Sequence, residues 1–280
     1  MRLYNNAKNK MTAIRIAASV VSNSLRSFMY GNIANCERSG REEYKLVGMS
    51  LPTDQNYDCI VSLTSWRGRL YSEIVQLALF ALIRQQTTYR YKVVLVLSEE
   101  EFPKKEAEVP KNILLMASRA PNFEILWCGR NSRALKKLTA PMAAYPTLPI
   151  ITTDDDIIVK EDFVQSFMDC HMAHPKDVIY AYCFDFPENP DIKISGWGRL
   201  FPPFSLYPLD ESLFYSMLHG AEDDLWNGIR VWLAGTSVTK LGKWPFVDQI
   251  PIGDTAFYHV YLKINAASCY NNLIRHLGII

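Results

Sequence analysis

The 280-residue sequence lacks three features that would each point to a particular class of protein. It has no run of about 18 or more uncharged apolar residues, which argues against a membrane-spanning helix. It has no excess charge of one sign, with 30 Lys and Arg against 29 Asp and Glu, so its composition gives no sign of a nucleic-acid partner. It also has no internal repeat. The hydrophobic content of 49% is typical of a folded domain.

The six cysteines form no C-x-x-C pair, and none lies near a histidine at zinc-finger spacing. They are scattered singly along the chain. This pattern predicts buried free thiols in a reducing compartment. The cysteines are Cys36, Cys59, Cys128, Cys170, Cys183 and Cys269.

Residues 1–56 have a different character from the rest of the chain. Arg15 interrupts the first apolar run and no A-x-A-like site follows, which is unlike a secretory signal. Apolar spacing predicts a helix over 11–29, and residues 1–50 carry eight basic and three acidic residues, a net charge of +5. We therefore expect a basic helical extension and linker. It either makes peripheral membrane contact through residues 1–30, or packs on the main domain or forms a loosely ordered leader.

From residue 57 onward, strand-like and helix-like segments alternate. Alternation over 58–182 favours βαβ units, and thus an α/β fold with a mostly parallel sheet and flanking helices. Ligands of such sheets bind beyond the carboxyl ends of the strands. The predicted strands are 59–64, 91–97, 123–127, 149–152 and 178–182, and the predicted helices are 70–86, 132–144 (interrupted near Pro141) and 161–173.

The segment 184–210 is rich in proline, glycine and aromatic residues. We predict an irregular loop here, too irregular for a βα unit. A loop of this length in a compact domain is usually functional or mobile. Its aromatic residues Trp197, Phe201 and Phe204 suit either a lid or acceptor wall, or ordinary core.

Three consecutive aspartates, the acid triplet Asp154, Asp155 and Asp156, follow directly on a predicted apolar strand. Adjacent negative charges at a strand end are costly unless a cation compensates them. Mg²⁺ and Mn²⁺ take one or two protein carboxylates and complete their shell with water and phosphate oxygens. The alternation of side chains along a strand predicts that Asp154 and Asp156 point the same way, toward the metal, while Asp155 faces elsewhere. The triplet predicts a divalent-cation site, and an acidic turn capping the next helix is the alternative.

A second acidic segment, Glu222, Asp223 and Asp224, precedes Leu225 and Trp226. Acids are favourable in the first turn of a helix because of the macrodipole. An acid here is equally suited to act as a general base toward a hydroxyl group.

The loop after the first predicted strand contains Thr64, Ser65, Arg67 and Arg69. Its hydroxyl groups, the following helix N-terminus and the guanidinium groups suit a nucleotide or phosphate. A solvated polar loop is the alternative interpretation.

In this order and spacing, the motifs resemble those of GT-A-type glycosyltransferases, close to the family-2-like bacterial enzymes that build surface polysaccharide or lipopolysaccharide. The acid triplet resembles the D-x-D element of that family, and the second acidic segment resembles its later acidic element. The resemblance covers roughly residues 57–240. The other matching segments are 60–65 with Arg69, 137–138, 145–146 and 206–208.

The resemblance implies a GT-A-like (Rossmann-like) domain over 57–280, with a donor half at 57–182 and an acceptor half at 183–280. It implies a metal-dependent, hexosyltransferase-like enzyme that moves a sugar from a nucleotide-diphosphate-sugar donor to a glycan or lipid-linked acceptor. The expected role is capsule or lipopolysaccharide synthesis. The expected location is the cytoplasm, either free or peripheral on the inner face of the membrane.

The resemblance also implies roles for individual residues. Thr64, Ser65 and Arg69 hold the donor nucleotide, and Lys137 touches the donor or pairs with an aspartate. Asp154 and Asp156 hold Mn²⁺ or Mg²⁺ against the diphosphate, while Asp155 lies near the ribose or sugar.

For the acceptor side, the resemblance implies Asp223 as the general base, with Glu222 and Asp224 as alternates. His259 is a candidate third metal ligand, since imidazole suits these metals, or else a structural histidine.

Two other functions remain open from the sequence. A metal-dependent nucleotidyltransferase or phosphohydrolase also uses clustered aspartates on an α/β sheet. A catalytically inactive module that binds sugar nucleotides is the third possibility.

Overall fold

The computed structural model describes residues 57–220, 222–249 and 266–279. The predicted N-terminal helix, Cys36 and His259 lie outside the described residues. Within them the strands are β1 (Cys59–Thr64), β2 (Tyr91–Ser98), β3 (Phe123–Cys128), β4 (Ile150–Thr152), β5 (Ile157–Val159), β6 (Val178–Tyr180), β7 (Phe184–Phe186), β8 (Asn189–Ile194), β9 (Arg199–Phe201), β10 (Val238–Lys240) and β11 (Phe246–Gln249).

The described helices alternate with these strands in the first half of the domain. They are α1 (Arg67–Leu70), α2 (Glu73–Ile83), α3 (Lys111–Arg119), α4 (Lys136–Ala144), α5 (Phe163–Ala173), α6 (Glu211–Leu218), α7 (Asp223–Leu233) and α8 (Ala266–His276).

The main sheet has seven strands in the order β10-β6-β9-β4-β1-β2-β3. Strand β1 is parallel to β2 and to β4, and β2 is parallel to β3, with Val61 opposite Val93 and Ile151. Strand β9 runs antiparallel between β4 and β6. The predicted mostly parallel sheet is therefore confirmed, and the carboxyl ends of β1, β2 and β4 share one edge.

Alternating residues of the central strands supply two separate cores. Val61 and Val93 face a cluster that includes residues of α2 and α5, whereas Ile60 and Val94 face one that includes residues of α4. All these side chains are buried. Burial on both faces explains why β1 and β2 are near-continuous apolar runs rather than alternating ones.

Two helix predictions need correction. The predicted helix 70–86 is shorter in the structure, where α1 already ends at Leu70 and α2 spans Glu73–Ile83. Ser72 is extended (φ −77°, ψ 153°), as a residue preceding a helix commonly is. The predicted interruption at Pro141 is wrong. Helix α4 continues through Pro141, whose carbonyl accepts a 2.7 Å bond from the Tyr145 amide, and burial of Pro141 and Leu138 compensates for the missing N–H donor.

The prediction of an irregular loop at 184–210 is wrong for much of that segment. Strands β7 and β8 form an antiparallel hairpin, and β9 enters the main sheet. Gly198 permits the turn into β9 with a φ of +60°, which side chains rarely adopt. Of the three aromatic residues, Phe201 is core, Trp197 packs against Phe246, and Phe204 is 89% exposed.

The described part of the chain contains no helix long and apolar enough to cross a membrane. The five described cysteines are unpaired, as their scattered positions predict. Cys59 and Cys269 are buried, and the other three are half-buried.

A further apolar cluster joins the β7–β8 hairpin to helices α6, α7 and α8, with Trp226 and Phe214 at its centre. Helix α7 approaches β8 closely at Gly228. A Cβ atom there would lie 2.8 Å from the Lys193 carbonyl oxygen and 3.1 Å from the Ile192 side chain. This contact sets how closely α7, whose first residues are Asp223 and Asp224, packs against β8.

Gly228→Ala is expected to lower the free energy of unfolding by about 1–3 kcal/mol, since the backbone of β8 must shift to accept the methyl group. The matched control is Gly129→Ala, where a Cβ would meet nothing within 4 Å. Urea unfolding followed by circular dichroism compares the two variants. Equal stabilities for both would contradict the proposed close contact.

Candidate active site

The acid triplet lies in the connection between β4 and β5, at the carboxyl edge of the sheet. Strand β4 ends at Thr152, so the alternation of side chains along a strand does not set the directions of Asp154 and Asp156. Ion pairs hold the first two members of the triplet instead. Asp154 binds Lys137, and Asp155 binds Arg69.

Arg69 and Asp155 form a buried ion pair that joins helix α1, which follows β1, to the acid triplet. Burial raises the pKa of Asp155, while Arg69 and the Ser65 hydroxyl oppose that rise. Ser65 and Arg69 are therefore brought to the triplet. The Thr64 hydroxyl instead donates to the Val96 carbonyl (2.7 Å), across to strand β2.

Lys137 bridges the two acidic segments. Its ammonium group lies 2.6 Å from the Asp154 carboxylate and 3.5 Å from that of Asp223. Burial alone would lower the pKa of Lys137, but Asp154 and Asp223 outweigh it and keep the group charged. Helix α4 thereby ties the β4–β5 connection to the start of α7.

Arg199 on β9 is the site residue that the motifs do not predict. Its side chain is buried, and it binds Asp224 directly, with Asp223 at 3.5 Å and the Ser195 carbonyl at 3.1 Å. One signal was available in the sequence, because a single arginine precedes the apolar residues Leu200 and Phe201. An arginine in a buried strand needs acidic partners.

The same cations affect Asp223 and Asp224 differently. Burial would raise the pKa of Asp223, but Lys137 and Arg199 outweigh it and hold that pKa below its usual range. Burial raises the pKa of Asp224 to about 7, with Arg199 opposing the rise and Asp223 adding to it. The pKa of Asp224 therefore lies nearer to neutral pH than that of Asp223.

Asp156 is the third member of the triplet and has no ion-pair partner among the described residues. It is 6% exposed. Burial, followed by repulsion from Asp154 and Asp155, raises its pKa to about 6. A buried carboxylate without a cation is a suitable ligand for a metal ion.

The local charge balance also suits a divalent cation. The two acidic segments contribute five aspartates and Glu222, and three cations bind the aspartates, which leaves a formal charge of −3 when all are ionised. No cluster of three or more side chains able to ligate a metal occurs in the described ranges. The arrangement fits an ion held by one or two carboxylates, whose other ligands come from phosphate and water.

A cavity of about 460 Å³ opens beside the second acidic segment. Glu222 and Asp224 line one side, where burial raises the pKa of Glu222. Phe184 and Ile194 of the β7–β8 hairpin line another side, and Ala267 of α8 completes the wall. An apolar wall facing two carboxyl groups suits a ligand with apolar faces and hydroxyl edges.

Asp156→Asn is expected to stabilise the metal-free protein at pH 8 by about 1–3 kcal/mol. The folded-state pKa of Asp156, about 6, lies above its ordinary value of 3.8, so its ionisation costs stability as the pH rises from 4 through 6. The gain in the free energy of unfolding should disappear near pH 4, where the folded wild type carries a neutral Asp156 and the amide of the variant is neutral too. Unfolding at several pH values in EDTA measures it, with the exposed Asp191→Asn as control; a gain independent of pH would contradict the burial argument.

No protein-family model and no curated protein matches this sequence. The structure is similar to that of the mannosyltransferase PcManGT from Pyrobaculum calidifontis in complex with GDP-Man and Mn²⁺, with a TM-score of 0.51 and 14% identity over 94% of this chain and 75% of that one. A second similar structure is S. aureus TarS 1–349 in complex with UDP-GlcNAc, with a TM-score of 0.47 and 11% identity over 79% of this chain and 66% of that one.

The similarity to PcManGT and the mixed seven-stranded sheet agree with the fold expected from the sequence motifs. The chain has a GT-A fold.

Proposed function

We propose that this protein is a glycosyltransferase that moves a sugar from a nucleotide-diphosphate-sugar donor, with Mn²⁺ or Mg²⁺, to a glycan or lipid-linked acceptor. The observation that carries the proposal is the buried charge network at the carboxyl edge of a GT-A sheet, which joins the acid triplet to the second acidic segment. The GDP-Man and Mn²⁺ bound to PcManGT support the same donor and metal classes.

Asp154 and Asp156 are the residues that would hold the cation. Asp156 is buried without an ion-pair partner in the described ranges, and Asp154 retains some solvent exposure beside Lys137. The ion supplies Lewis-acid stabilisation of the departing nucleoside diphosphate. His259, the other candidate ligand, lies outside the described residues.

The donor-binding roles follow from the contacts around the triplet. Arg69 holds Asp155 at the edge of the sheet, and Ser65 lies beside the same carboxyl group, where the nucleotide would bind. Thr64 holds β1 to β2 through Val96, so we assign it a positioning role. Lys137 is suited to contact the diphosphate, since its ammonium group already faces Asp154.

The geometry favours Asp224 over Asp223 as the general base. A base works best when its pKa lies near the operating pH and its carboxylate faces the substrate. Asp224 lines the cavity and has a pKa of about 7, whereas Asp223 is held by two cations and its pKa is lowered. Asp224 takes the proton from an acceptor hydroxyl group. The oxygen of that hydroxyl group forms a bond to the donor sugar, and the bond between the sugar and the nucleoside diphosphate breaks.

The cavity suits an acceptor sugar because it combines aromatic and aliphatic walls with the carboxyl groups of Glu222 and Asp224. We infer a role in bacterial surface-polysaccharide synthesis, of capsule or lipopolysaccharide, with the protein in the cytoplasm or peripheral on the inner membrane face. We further propose that the transferred sugar is a hexose.

Thermal unfolding with MnCl₂ and a panel of GDP-, UDP-, CDP- and dTDP-sugars tests donor and metal binding. At least one donor should raise the melting temperature only when Mn²⁺ is present. At a donor concentration of 100 times its Kd, binding adds about 2.7 kcal/mol to the free energy of unfolding. Asp156→Ala should abolish that rise, because it removes the unpaired carboxylate. The exposed Asp191→Ala should keep it, and a full Mn²⁺-dependent rise in Asp156→Ala would refute the metal assignment.

Asp224→Asn should leave the Mn²⁺-dependent melting rise intact and lower nucleoside diphosphate release from the same donor by about 10²–10⁴-fold, since proton removal is lost. Water serves as the acceptor in this assay. The comparison is Asp223→Asn, which removes a buried anion held by Lys137 and Arg199. Normal release by Asp224→Asn, with release lost in a donor-binding Asp223→Asn, would assign the base to Asp223.

The same assays separate the other candidate functions. A nucleotidyltransferase or phosphohydrolase would release nucleoside monophosphate or inorganic phosphate instead of nucleoside diphosphate. An inactive module would show the melting rise with no product.

A further inference from the structure

A row of buried polar side chains crosses the main sheet on the face that α4 covers. Ser62 on β1 lies opposite Thr152 on β4, and Thr152 lies opposite Arg199 on β9. Side chains alternate along a strand, so these three residues share a face with Ile60 and Phe201, which belong to the apolar cluster beneath α4. We call Ser62, Thr152 and Arg199 the polar row.

Each member of the polar row has a polar atom without a hydrogen-bond partner among the described residues. These atoms are the Ser62 hydroxyl oxygen, the Thr152 hydroxyl oxygen and Nε of Arg199. Ser62 is 0% exposed, Thr152 is 1% exposed and Arg199 is 2% exposed. A buried polar group without a partner costs stability, and most such groups in proteins bind protein atoms or ordered water. The polar row therefore points to a shared ligand.

The spacing of the strands suits one water molecule as that ligand. Neighbouring strands lie about 4.8 Å apart, and one water that makes two hydrogen bonds of about 2.8 Å spans this gap. Buried waters typically make about three hydrogen bonds. The polar row offers three partners, namely two hydroxyl groups, which accept and donate, and one N–H group, which donates.

The charge of the surroundings favours a neutral ligand over an anion. A chloride ion would meet the same N–H and hydroxyl donors as a water. The two acidic segments, however, keep a formal charge of −3 after the cations that bind them are counted. A further buried anion beside Arg199 would be repelled by these carboxylates.

The other nitrogens of the Arg199 guanidinium group bind both aspartates of α7. Nη1 donates to Asp224 and to the Ser195 carbonyl (3.1 Å), and Nη2 lies 3.5 Å from Asp223. The group is planar and rigid, so a hydrogen bond at Nε fixes the rotation of the plane and the directions of Nη1 and Nη2. The ligand at Nε therefore sets how the cation is shared between Asp223 and Asp224.

We propose that the polar row binds one buried water molecule, and that Ser62 and Thr152 position Arg199 through it. The water accepts a hydrogen bond from Nε–H and donates one to each hydroxyl oxygen. The effect on transfer rests on the proposed function, because Asp224 is the proposed general base. Binding of the water does not, since it needs only the folded protein.

A double-mutant cycle, measured by urea unfolding of the full chain, tests whether the two hydroxyl groups share a ligand. Thr152→Val replaces a hydroxyl group with a methyl group, and Ser62→Ala removes the other hydroxyl group. Each change should lower the folding equilibrium constant by about fivefold, because a water-mediated hydrogen bond is lost. The double variant should lose at least about twofold less than the product of the single losses, since both changes release the same water.

Ser98→Ala is the matched control. The Ser98 hydroxyl is also buried without a partner in the described ranges, but Ser98 lies four residues along β2 from Val94, which is opposite Ser62. That separation is about 13 Å, so the effects of Ser98→Ala and Thr152→Val should simply multiply. In a Thr152→Ser background, which keeps the hydroxyl group, Ser62→Ala should cost as much as in the wild type.

A high-resolution crystal structure of the full chain locates the ligand. One water should lie about 2.7–3.2 Å from the Ser62 hydroxyl, the Thr152 hydroxyl and Nε of Arg199. In Thr152→Val the water should be lost and the guanidinium plane rotated. An anomalous bromide peak at this position, in crystals soaked in NaBr, would identify an anion site and overturn the proposal.

The rate of nucleoside diphosphate release tests the positioning role. Ser62→Ala should lower kcat by about tenfold or more and leave the donor KM unchanged, because the base is misplaced while the metal site is intact. Ser98→Ala should keep the wild-type kcat. An unchanged kcat in a Ser62→Ala protein that has lost the water would overturn the positioning role.

Three results would overturn the water site itself. They are a gain in stability in Thr152→Val, effects of Thr152→Val and Ser62→Ala that simply multiply, and hydroxyl groups that bind each other or the backbone in the crystal. If Thr152→Val does not fold, the wild-type crystal decides. Unfolding and diffraction need no sugar nucleotide, so a failure of the proposed glycosyl transfer leaves these results unchanged.

Discussion

The rest of the site depends on two buried cations that hold like charges together. Lys137 and Arg199 lie between Asp154, Asp223 and Asp224, and without them these carboxylates would repel one another at the edge of the sheet. Removing one partner of a buried ion pair costs about 3–5 kcal/mol. The network therefore fixes the distance between the acid triplet and the start of α7, as the proposed transfer requires.

The ion-pair network supplies cationic partners to Asp223 but none to Asp156 among the described residues. Asp223 lies 3.5 Å from each of two cations, which lower its pKa, whereas Asp156 is buried without an ion-pair partner among the described residues and its pKa rises. Such an imbalance lowers the stability of the metal-free protein and favours binding of a divalent ion. A site of this kind gives up stability for function, as strained sites commonly do.

The sequence predicts the central strands and the position of the acid triplet after β4, because long apolar runs and clustered charges are local signals. It could not predict that β9 inserts antiparallel, since a strand of three residues is too short to show a period. Arg199 was missed for a related reason. Its partner Asp224 lies 25 residues away, and only the folded sheet brings the two together. The directions of Asp154 and Asp156 were also beyond the sequence, because ion pairs and not strand alternation position this connection.

Crystals soaked in MnCl₂ and GDP, measured for the anomalous scattering of manganese, test the central claim most directly. The account predicts one strong manganese peak within coordination distance of the Asp154 or Asp156 carboxylates, with Lys137 still between Asp154 and Asp223 or turned toward the diphosphate. A manganese peak elsewhere, or none while GDP is bound at the edge of the sheet, would contradict it.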